Sequence, residues 1–467
     1  MFIKQLYTNC LSEAAYYVES EGEAIIIDPL RDTDEYIELA KERNATIRYI
    51  FETHFHADFV SGHLDLAKQT GAPIVFGPGA ITSFSIHSAK DGEIFKLGKI
   101  SLEVLHTPGH TLESSCYLLK DEEGKPHALF TGDTLFVGDV GRPDLSSGDM
   151  TSEELAGIMY DTIHSKILPL ADDVIVYPAH GPGSSCGKNL GPNTTSTMGE
   201  EKKTNHALQP QTREEFITSV TKGLNRAPRY FSINAKINQE GYIYLDKVKE
   251  TGMKAMSVEE FKSAMNAGIL ILDTRTATEF TEGFIPGSVF IGLEGRFAEW
   301  AGSILPFDKP MILVTPAGKE EETIIRLSRV GFDKMEGYLA GGFEAWKKAN
   351  EKIDIIIDVE ADELMMDIPF DPNLQIVDVR RETEFADGHL SNAVNIPLSD
   401  MTDVVHLAQF EDHQNLYIHC AGGYRSVIAA SLFKREGIHN IRNVLGGWSK
   451  IKLQEKADII KEASMLN

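Results

Sequence analysis

Thr53-His54-Phe55-His56-Ala57-Asp58-Phe59, with His63 four residues further on, is the stretch on which the reading of this chain turns. The run before it, Tyr49-Ile50-Phe51, is apolar and β-like, so the segment stands at a strand end. Two histidines and an aspartate at alternate positions there would aim several metal-binding groups into one cavity.

Outward from this stretch, residues 1 to about 247 alternate short β-like runs with helical stretches. The runs are Ala24-Ile25-Ile26-Ile27, Ile74-Val75-Phe76, Ser101-Leu102-Glu103-Val104-Leu105, Ala128-Leu129-Phe130 and Val174-Ile175-Val176-Tyr177. Most end in a histidine, an aspartate or a Gly/Pro turn, the pattern of a layered α/β domain whose strand ends share one composite pocket. Three of those ends carry further candidate ligands: His110 in Thr107-Pro108-Gly109-His110-Thr111, Asp133 in Thr131-Gly132-Asp133-Thr134, and His180 in Tyr177-Pro178-Ala179-His180-Gly181. Residues Gly181 to Gln211, rich in Gly, Ser, Thr, Asn and Pro, read as a long loop of the kind that serves binding sites.

At 467 residues the chain is long enough for about three domains. Its 45 basic and 70 acidic residues give a net charge of -25, which argues against nucleic acid and anionic membranes as partners. Met1-Phe2-Ile3-Lys4-Gln5-Leu6 lacks the apolar core of a signal peptide and no run approaches a membrane span, so a cytoplasmic location is expected. Cys10, Cys116, Cys186 and Cys420 are too scattered for a disulfide framework. Cys116 reads as core, Cys10 stays unassigned, and Cys186 on the polar loop is a candidate for handling sulfur. His63, His87, His106 and His127 read as structural or surface residues, and Asp28 as a structural hydrogen-bonding residue near the site.

The second half holds an internal repeat. Ile271-Leu272-Asp273-Thr274-Arg275, Glu279-Phe280 and Gly283 are matched by Val377-Asp378-Val379-Arg380, Glu384-Phe385 and Gly388, with Asp273 and Asp378 standing 105 residues apart. Gly341-Gly342 and Gly446-Gly447 repeat at the same offset. A unit this long is a duplicated domain, and its strand, loop, strand, helix order predicts a parallel sheet with helices on its faces. In the second copy, Tyr417-Ile418-His419-Cys420 leads into Ala421-Gly422-Gly423-Tyr424-Arg425-Ser426 and a helical run. A loop of this kind can curl its backbone N–H groups around the Cys420 sulfur, the following helix points its positive end at it, and Arg425 adds a cation. At the 105 offset the first copy has Thr315 opposite Cys420 and Glu320 opposite Arg425, so nucleophile and cation are both missing.

The four ligand segments in this order resemble the metallo-β-lactamase superfamily over roughly residues 1 to 247, which implies an αββα sandwich. Superfamily hydrolases with two metals read His-x-His-x-Asp-His, and Phe59 occupies the last position here, which favours a single metal. The persulfide dioxygenases are the branch with one iron, which this domain resembles also in Pro178-Ala179-His180-Gly181 and Ser185-Cys186-Gly187-Lys188. The resemblance makes His54, His110 and Asp133 ligands of one Fe(II) per chain, with positions open to a persulfide sulfur and O2. It puts His56, Asp58 and His180 behind them as orienting groups.

With Asp378 and Arg380 upstream and Gly446-Gly447-Trp448 downstream, the Cys420 segment resembles a rhodanese domain, and the thiol-less copy a rhodanese fold without sulfur transfer. For that silent copy a spacer or packing role is expected first, docking or dimerisation second. The combined order, an α/β metallo-β-lactamase domain at 1–247, a silent rhodanese domain at 248–353 and an active one at 354–467, is similar to bacterial persulfide dioxygenase-rhodanese fusions of sulfide detoxification. That similarity implies oxidation of a low-molecular-weight thiol persulfide, such as glutathione persulfide, by O2 to sulfite. It further implies transfer of sulfur between persulfide or sulfite and thiosulfate through Cys420. A zinc hydrolase of thioesters of the glyoxalase II type and a non-catalytic sulfur carrier are the alternatives. Oligomeric state, a homo-oligomer included, stays open.

Overall fold

The computed structural model describes residues 1–145, 150–224, 226–411 and 413–462. The chain divides into two compact units, Met1–Lys247 with Leu327–Gly331, and Val248–Arg326 with Phe332–Asn467. Among the described residues no helix is long and apolar enough to cross a membrane.

The first unit is built on two six-stranded sheets. One runs in order through β1 (Phe2–Thr8), β2 (Glu13–Ser20), β3 (Glu23–Ile27), β4 (Thr46–Glu52), β5 (Ile74–Phe76) and β6 (His87–Ser88). The other is formed by β7 (Ile94–Leu97), β8 (Ile100–His106), β9 (Ser115–Lys120), β10 (Pro126–Gly132), β11 (Ile175–Pro178) and β12 (Ser196–Thr197). Strand β2 shows why they stack. Ala14, Tyr16 and Val18 enter the layer between the sheets with Phe51, Val104, Tyr117 and Phe130, while Ala15 and Tyr17 face the opposite side. A period of two with both faces apolar leaves no wet side, so helices must cover the outer faces. Asp34–Glu42 and His63–Thr70 do so on one sheet through Tyr36, Leu39 and Leu66. Ser152–Thr162 and Arg213–Thr221 do so on the other through Ala156, Met159 and Phe216. The result is the αββα sandwich expected from the resemblance.

Strand direction positions the site. β9 is antiparallel to both β8 and β10, and β10 is parallel to β11, so β8, β10 and β11 end on one rim. β4, parallel to β3, meets them there, where Ser115 N–H donates to the Thr53 carbonyl at 2.9 Å.

Two segments differ from expectation. The stretch Gly181 to Gln211 is not loop throughout: it contains β12, a helix Met198–Thr204 and a 3-10 turn His206–Leu208. The Ser/Thr/Asn content that reads as loop is capping chemistry, since the Thr197 hydroxyl accepts from Glu200 N–H and the Asn205 side chain from Ala207 N–H. Lys247 to Met253, whose composition is that of a polar connector between domains, falls largely in a helix, Leu245–Gly252, anchored by buried Val248.

The second unit holds the duplicated fold. The first copy has β13 (Ala255–Met256), β14 (Leu270–Asp273), β15 (Val289–Phe290), β16 (Met311–Val314) and β17 (Met335–Leu339) in spatial order 13-17-16-14-15. The second has β18 (Ile357–Val359), β19 (Leu374–Asp378), β21 (Ala393–Asn395), β22 (Asn415–His419) and β23 (Ile441–Val444) in order 18-23-22-19-21. Short strands β20 (His389–Leu390) and β24 (Ile459–Ile460) pair separately. Both five-stranded sheets are parallel throughout, with the same connectivity. The repeat extends to side chains. Arg275 grips Asp273 (Nη2–Oδ2 2.6 Å) and the Gly283 carbonyl (2.8 Å), and lies over the Phe343 ring. Arg380 grips Asp378 (2.6 Å) and the Gly388 carbonyl (2.7 Å), and lies over Trp448.

Candidate metal centre and thiol loop

Each expected ligand sits just beyond a strand on the shared rim: His54, His56 and Asp58 after β4, His110 after β8, Asp133 after β10 and His180 after β11. All are buried. His54, His110 and Asp133 each offer a ligand atom within 4.8 Å of the others, and so do His56, Asp58 and His180 as a second group.

Hydrogen bonds behind the imidazoles decide which nitrogen faces the cavity. The Thr53 hydroxyl donates to Asp28 Oδ2 at 2.8 Å, so toward His54 it can only accept, and His54 Nδ1–H donates to it at 3.0 Å. His110 Nδ1–H donates to the Arg142 carbonyl at 2.8 Å, and His180 Nδ1–H to the Ser12 carbonyl at 3.1 Å. In all three rings Nε2 is left facing Asp133, at 3.8 Å from Oδ2 for His54, 3.5 Å from Oδ2 for His110 and 3.5 Å from Oδ1 for His180. Close approach makes this possible. Gly132 takes φ +51, and a Cβ there would lie 2.5 Å from Thr53 Oγ1.

Electrostatics separate the histidines. Burial, reinforced by His56, His110 and His180, pushes His54 well below its ordinary range and keeps its lone pair free. Burial also acts against charge on His56, but Asp28 at 3.1 Å and Glu52 at 3.5 Å from its Nε2 outweigh it and raise this ring well above. At His180 the same contest is won by Asp58 and Asp133. Both Asp133 oxygens, Asp58 Oδ1 and His180 Nε2 are buried without a hydrogen-bond partner. Buried carboxylate left unpaired is costly, and a cation between these groups satisfies all of them at once, so the residues present fit a metal ion.

Phe59 is fully buried and packs on His56, ring centroids 4.3 Å apart at 30°. Cys186 is buried with a ligand atom within 4.8 Å of Asp133 and His180, and burial, then Asp58 and Asp133, push its thiol up, so it is a neutral thiol on the pocket wall. His63, expected as structural or surface, is fully buried, 3.4 Å from Glu52 and stacked on Phe84. Asp28 holds a left-handed backbone (φ 53) and accepts from both Thr53 N–H and Thr53 Oγ1. Three residues without a metal-ligand signature, Thr53, Glu52 and Glu13, also belong to the site. Thr53 and Glu52 adjoin the motif directly. Glu13 carried no signal: its burial beside His180 and His56 exists only in the fold.

In the second unit Cys420 is 2% exposed, and Gly423 N–H donates to its sulfur at 3.1 Å. The helix Tyr424–Arg435 starts immediately after, with Ser426 Oγ 3.7 Å from the sulfur. Arg425 is not a free cation over the thiol: its guanidinium is bound to Glu384 at 2.7 and 2.8 Å. The sulfur is therefore served first by backbone N–H and helix terminus. In the thiol-less copy the loop Thr315-Pro316-Ala317-Gly318 ends at Glu320, whose carboxylate accepts from Gly318 N–H at 3.3 Å. Gly318 is the counterpart of Gly423, so the residue that replaces Arg425 takes the N–H that meets the Cys420 sulfur in the second copy.

Residues 8–180 match the model of the metallo-beta-lactamase superfamily, and residues 257–349 and 360–454 match that of the rhodanese-like domain. A probable hydroxyacylglutathione hydrolase, glo2, of Schizosaccharomyces pombe is 35% identical over 159 residues, 33% of this chain and 57% of its own length. The mitochondrial persulfide dioxygenase ETHE1 of Homo sapiens is 31% identical over 198 residues, 42% of this chain and 70% of its own. The chain thus spans little more than half of the first relative and two thirds or more of the second. A solved metallo-beta-lactamase from Staphylococcus aureus subsp. aureus COL is 35% identical with a TM-score of 0.65, covering 73% of this chain and 98% of that one. The chain belongs to the metallo-beta-lactamase superfamily, its metallo-beta-lactamase domain being followed by two rhodanese-like domains.

Proposed function

We propose that residues 1–247 oxidise a low-molecular-weight thiol persulfide to sulfite with one Fe(II), and that residues 354–467 pass sulfur between persulfide or sulfite and thiosulfate, with 248–353 the silent rhodanese domain. The observation that carries this reading is the asymmetry of the metal pocket. His54, His110 and Asp133 converge with free lone pairs, whereas the place of a further histidine ligand is taken by Phe59, stacked on a His56 whose Nε2 faces Asp28 and Glu52.

His54, His110 and Asp133 would hold the metal, which when bound supplies the redox chemistry that joins O2 to the terminal persulfide sulfur. The chain's own residues do the rest. Thr53, the Arg142 carbonyl and the Ser12 carbonyl hold the three rings in one tautomer, and Asp28 holds Thr53. Phe59, Phe136 and the neutral Cys186 thiol wall the pocket, and Cys186 stands where it could meet the sulfur of an incoming persulfide. Downstream, within its loop Ala421-Gly422-Gly423-Tyr424, the Cys420 thiolate attacks the outer sulfur of thiosulfate or of a thiol persulfide, the S–S bond of the donor breaks, sulfite or the thiolate leaves with the electron pair, and the sulfur is carried as a Cys420 persulfide beside Gly423 N–H.

A second reading, a zinc-dependent thioester hydrolase, is favoured by the His56, Asp58 and His180 group, which could hold another ion, and by the hydroxyacylglutathione hydrolase relatives. Metal analysis of the purified protein with oxygen uptake on glutathione, coenzyme A and bacillithiol persulfides separates the two. Iron near one per chain with persulfide-dependent uptake is expected. Zinc near two per chain with S-lactoylglutathione cleavage and no uptake would install the hydrolase instead.

A further inference from the structure

The silent repeat is no mere neighbour of the live one within the second unit. Tyr424, the residue between the Cys420 loop and Arg425, sends its hydroxyl into the first copy, donating to the Gly292 carbonyl at 2.7 Å. Gly292 has no room for a side chain: a Cβ there would lie 2.9 Å from the Arg275 carbonyl and 3.1 Å from Phe290 Cζ of its own copy, and would touch Tyr424 Cε2 at 3.4 Å. Two residues earlier in that wall, edge strand β15 is closed by the second copy's helix, Phe290 N–H donating to Ser431 Oγ at 3.0 Å. Ser431 lies two turns along the helix that begins at the Cys420 loop.

Charge crosses the same seam. Glu299, 9% exposed on the silent copy's helix Phe297–Ile304, is ion-paired to Arg296 of its own repeat and to Arg381 of the live one, the latter at 3.5 Å. Burial pushes its carboxyl up, against the pull of Arg296, Arg381 and Arg425. Arg425 in turn is bound to Glu384 and feels the Cys420 sulfur. Three arginines and two carboxylates from both repeats thus form one charge network that reaches the Cys420 sulfur through Arg425, and thiosulfate and sulfite are dianions that feel its balance.

We propose that the thiol-less repeat is a working half of the Cys420 site, its Gly292 carbonyl positioning the sulfur-binding loop through Tyr424 and its Glu299 carboxylate setting the charge that admits a sulfur oxyanion. This rests on Cys420 being the sulfur carrier of the proposed function. In that step the Cys420 thiolate attacks the outer sulfur of thiosulfate. The thiosulfate S–S bond breaks, sulfite leaves with the electron pair, and Cys420 is left as a persulfide that cyanide relieves as thiocyanate.

The test uses the full chain with thiosulfate and cyanide. Tyr424→Phe is expected to lose about fivefold or more in kcat/KM for thiocyanate formation, the size of one lost positioning hydrogen bond. Glu299→Gln is expected to lower KM for thiosulfate about threefold or more with kcat near wild type, and to steepen its dependence on salt, since the arginines lose a counter-charge. Persulfide-dependent oxygen uptake should not change in either, which also reports that the chain is folded. Wild-type kinetics and salt dependence in both variants would reduce the silent repeat to a spacer and overturn the inference alone. Failure of the unmodified protein to gain one sulfur atom on Cys420, read by peptide mass, would overturn the inference together with the sulfur-transfer reading.

Discussion

Phe59 turns the metal pocket from symmetric to one-sided. The two-metal pattern has a histidine at this position; the phenyl ring here packs on His56 instead, ring centroids 4.3 Å apart. Phe59→His is expected to raise the metal content from about one toward about two per chain, by restoring a fourth nitrogen or oxygen donor to the second group. Unchanged stoichiometry on metal analysis would mean that His56, held by Asp28 and Glu52, blocks that position. His54→Ala removes a donor that no described neighbour replaces. Iron should fall by more than the about 10–100-fold that losing an outer orienting partner costs, and oxygen uptake with it, while Cys420 still accepts sulfur. Oxygen uptake at the wild-type rate would discard His54 as a ligand. Cys420→Ser is expected to make sulfite from persulfide but no thiosulfate, measured by ion chromatography. Thiosulfate at the normal rate would point to another thiol, with Cys186, already beside Asp133 and His180, first in line.

At the scale of elements, the two rhodanese loops compare like with like. Both follow the fourth strand of their sheet and lead into a helix, and both lie near an Arg-Asp pair of the same geometry. They differ in what occupies the backbone cradle: Cys420 sulfur at Gly423 N–H in one, the Glu320 carboxylate at Gly318 N–H in the other. A thiol alone should therefore not confer sulfur uptake on the first copy. In a Cys420→Ser background, Thr315→Cys is expected to take up little sulfur from persulfide, and Thr315→Cys with Glu320→Arg clearly more, because the carboxylate would repel a thiolate within hydrogen-bond reach. Equal uptake by both, read by peptide mass, would show that the carboxylate is no obstacle.

At the scale of the whole chain, the proposed metal site lies in one unit and Cys420, the proposed sulfur carrier, in the other. Both Asp133 oxygens, Asp58 Oδ1 and His180 Nε2 are buried without a hydrogen-bond partner, so a cation bound among them would stabilise the first unit. A ligand present at about a hundred times its Kd adds about 2.7 kcal/mol to the state it binds. Chelation should therefore lower the melting of Met1–Lys247 and leave that of the rhodanese pair in place, giving two separated calorimetric transitions. A single transition that moves as one on chelation would contradict the division.

Much of this was legible in the residues. Alternating apolar runs that end in histidine or aspartate are local signals, and strand ends and ligands follow from them; the 105-residue repeat needs only counting, and it exposes the missing thiol and the reversed charge at Thr315 and Glu320. Helices inside the Gly/Ser/Thr/Asn stretch before Gln211 were hidden, because capping residues have the composition of loops. Also hidden were groups that come from far along the chain: Glu13 beside His180, Glu384 on Arg425, Gly292 under Tyr424 and Glu299 among the arginines of both repeats. Which chemical groups the chain owns, and which strand ends carry them, can be read along the chain, since periodicity and motif spacing are short-range. The nitrogen that each histidine presents, the carboxylate that holds Arg425 and the carbonyl behind the Cys420 loop emerge on folding, because they are contacts between distant segments that spacing does not encode.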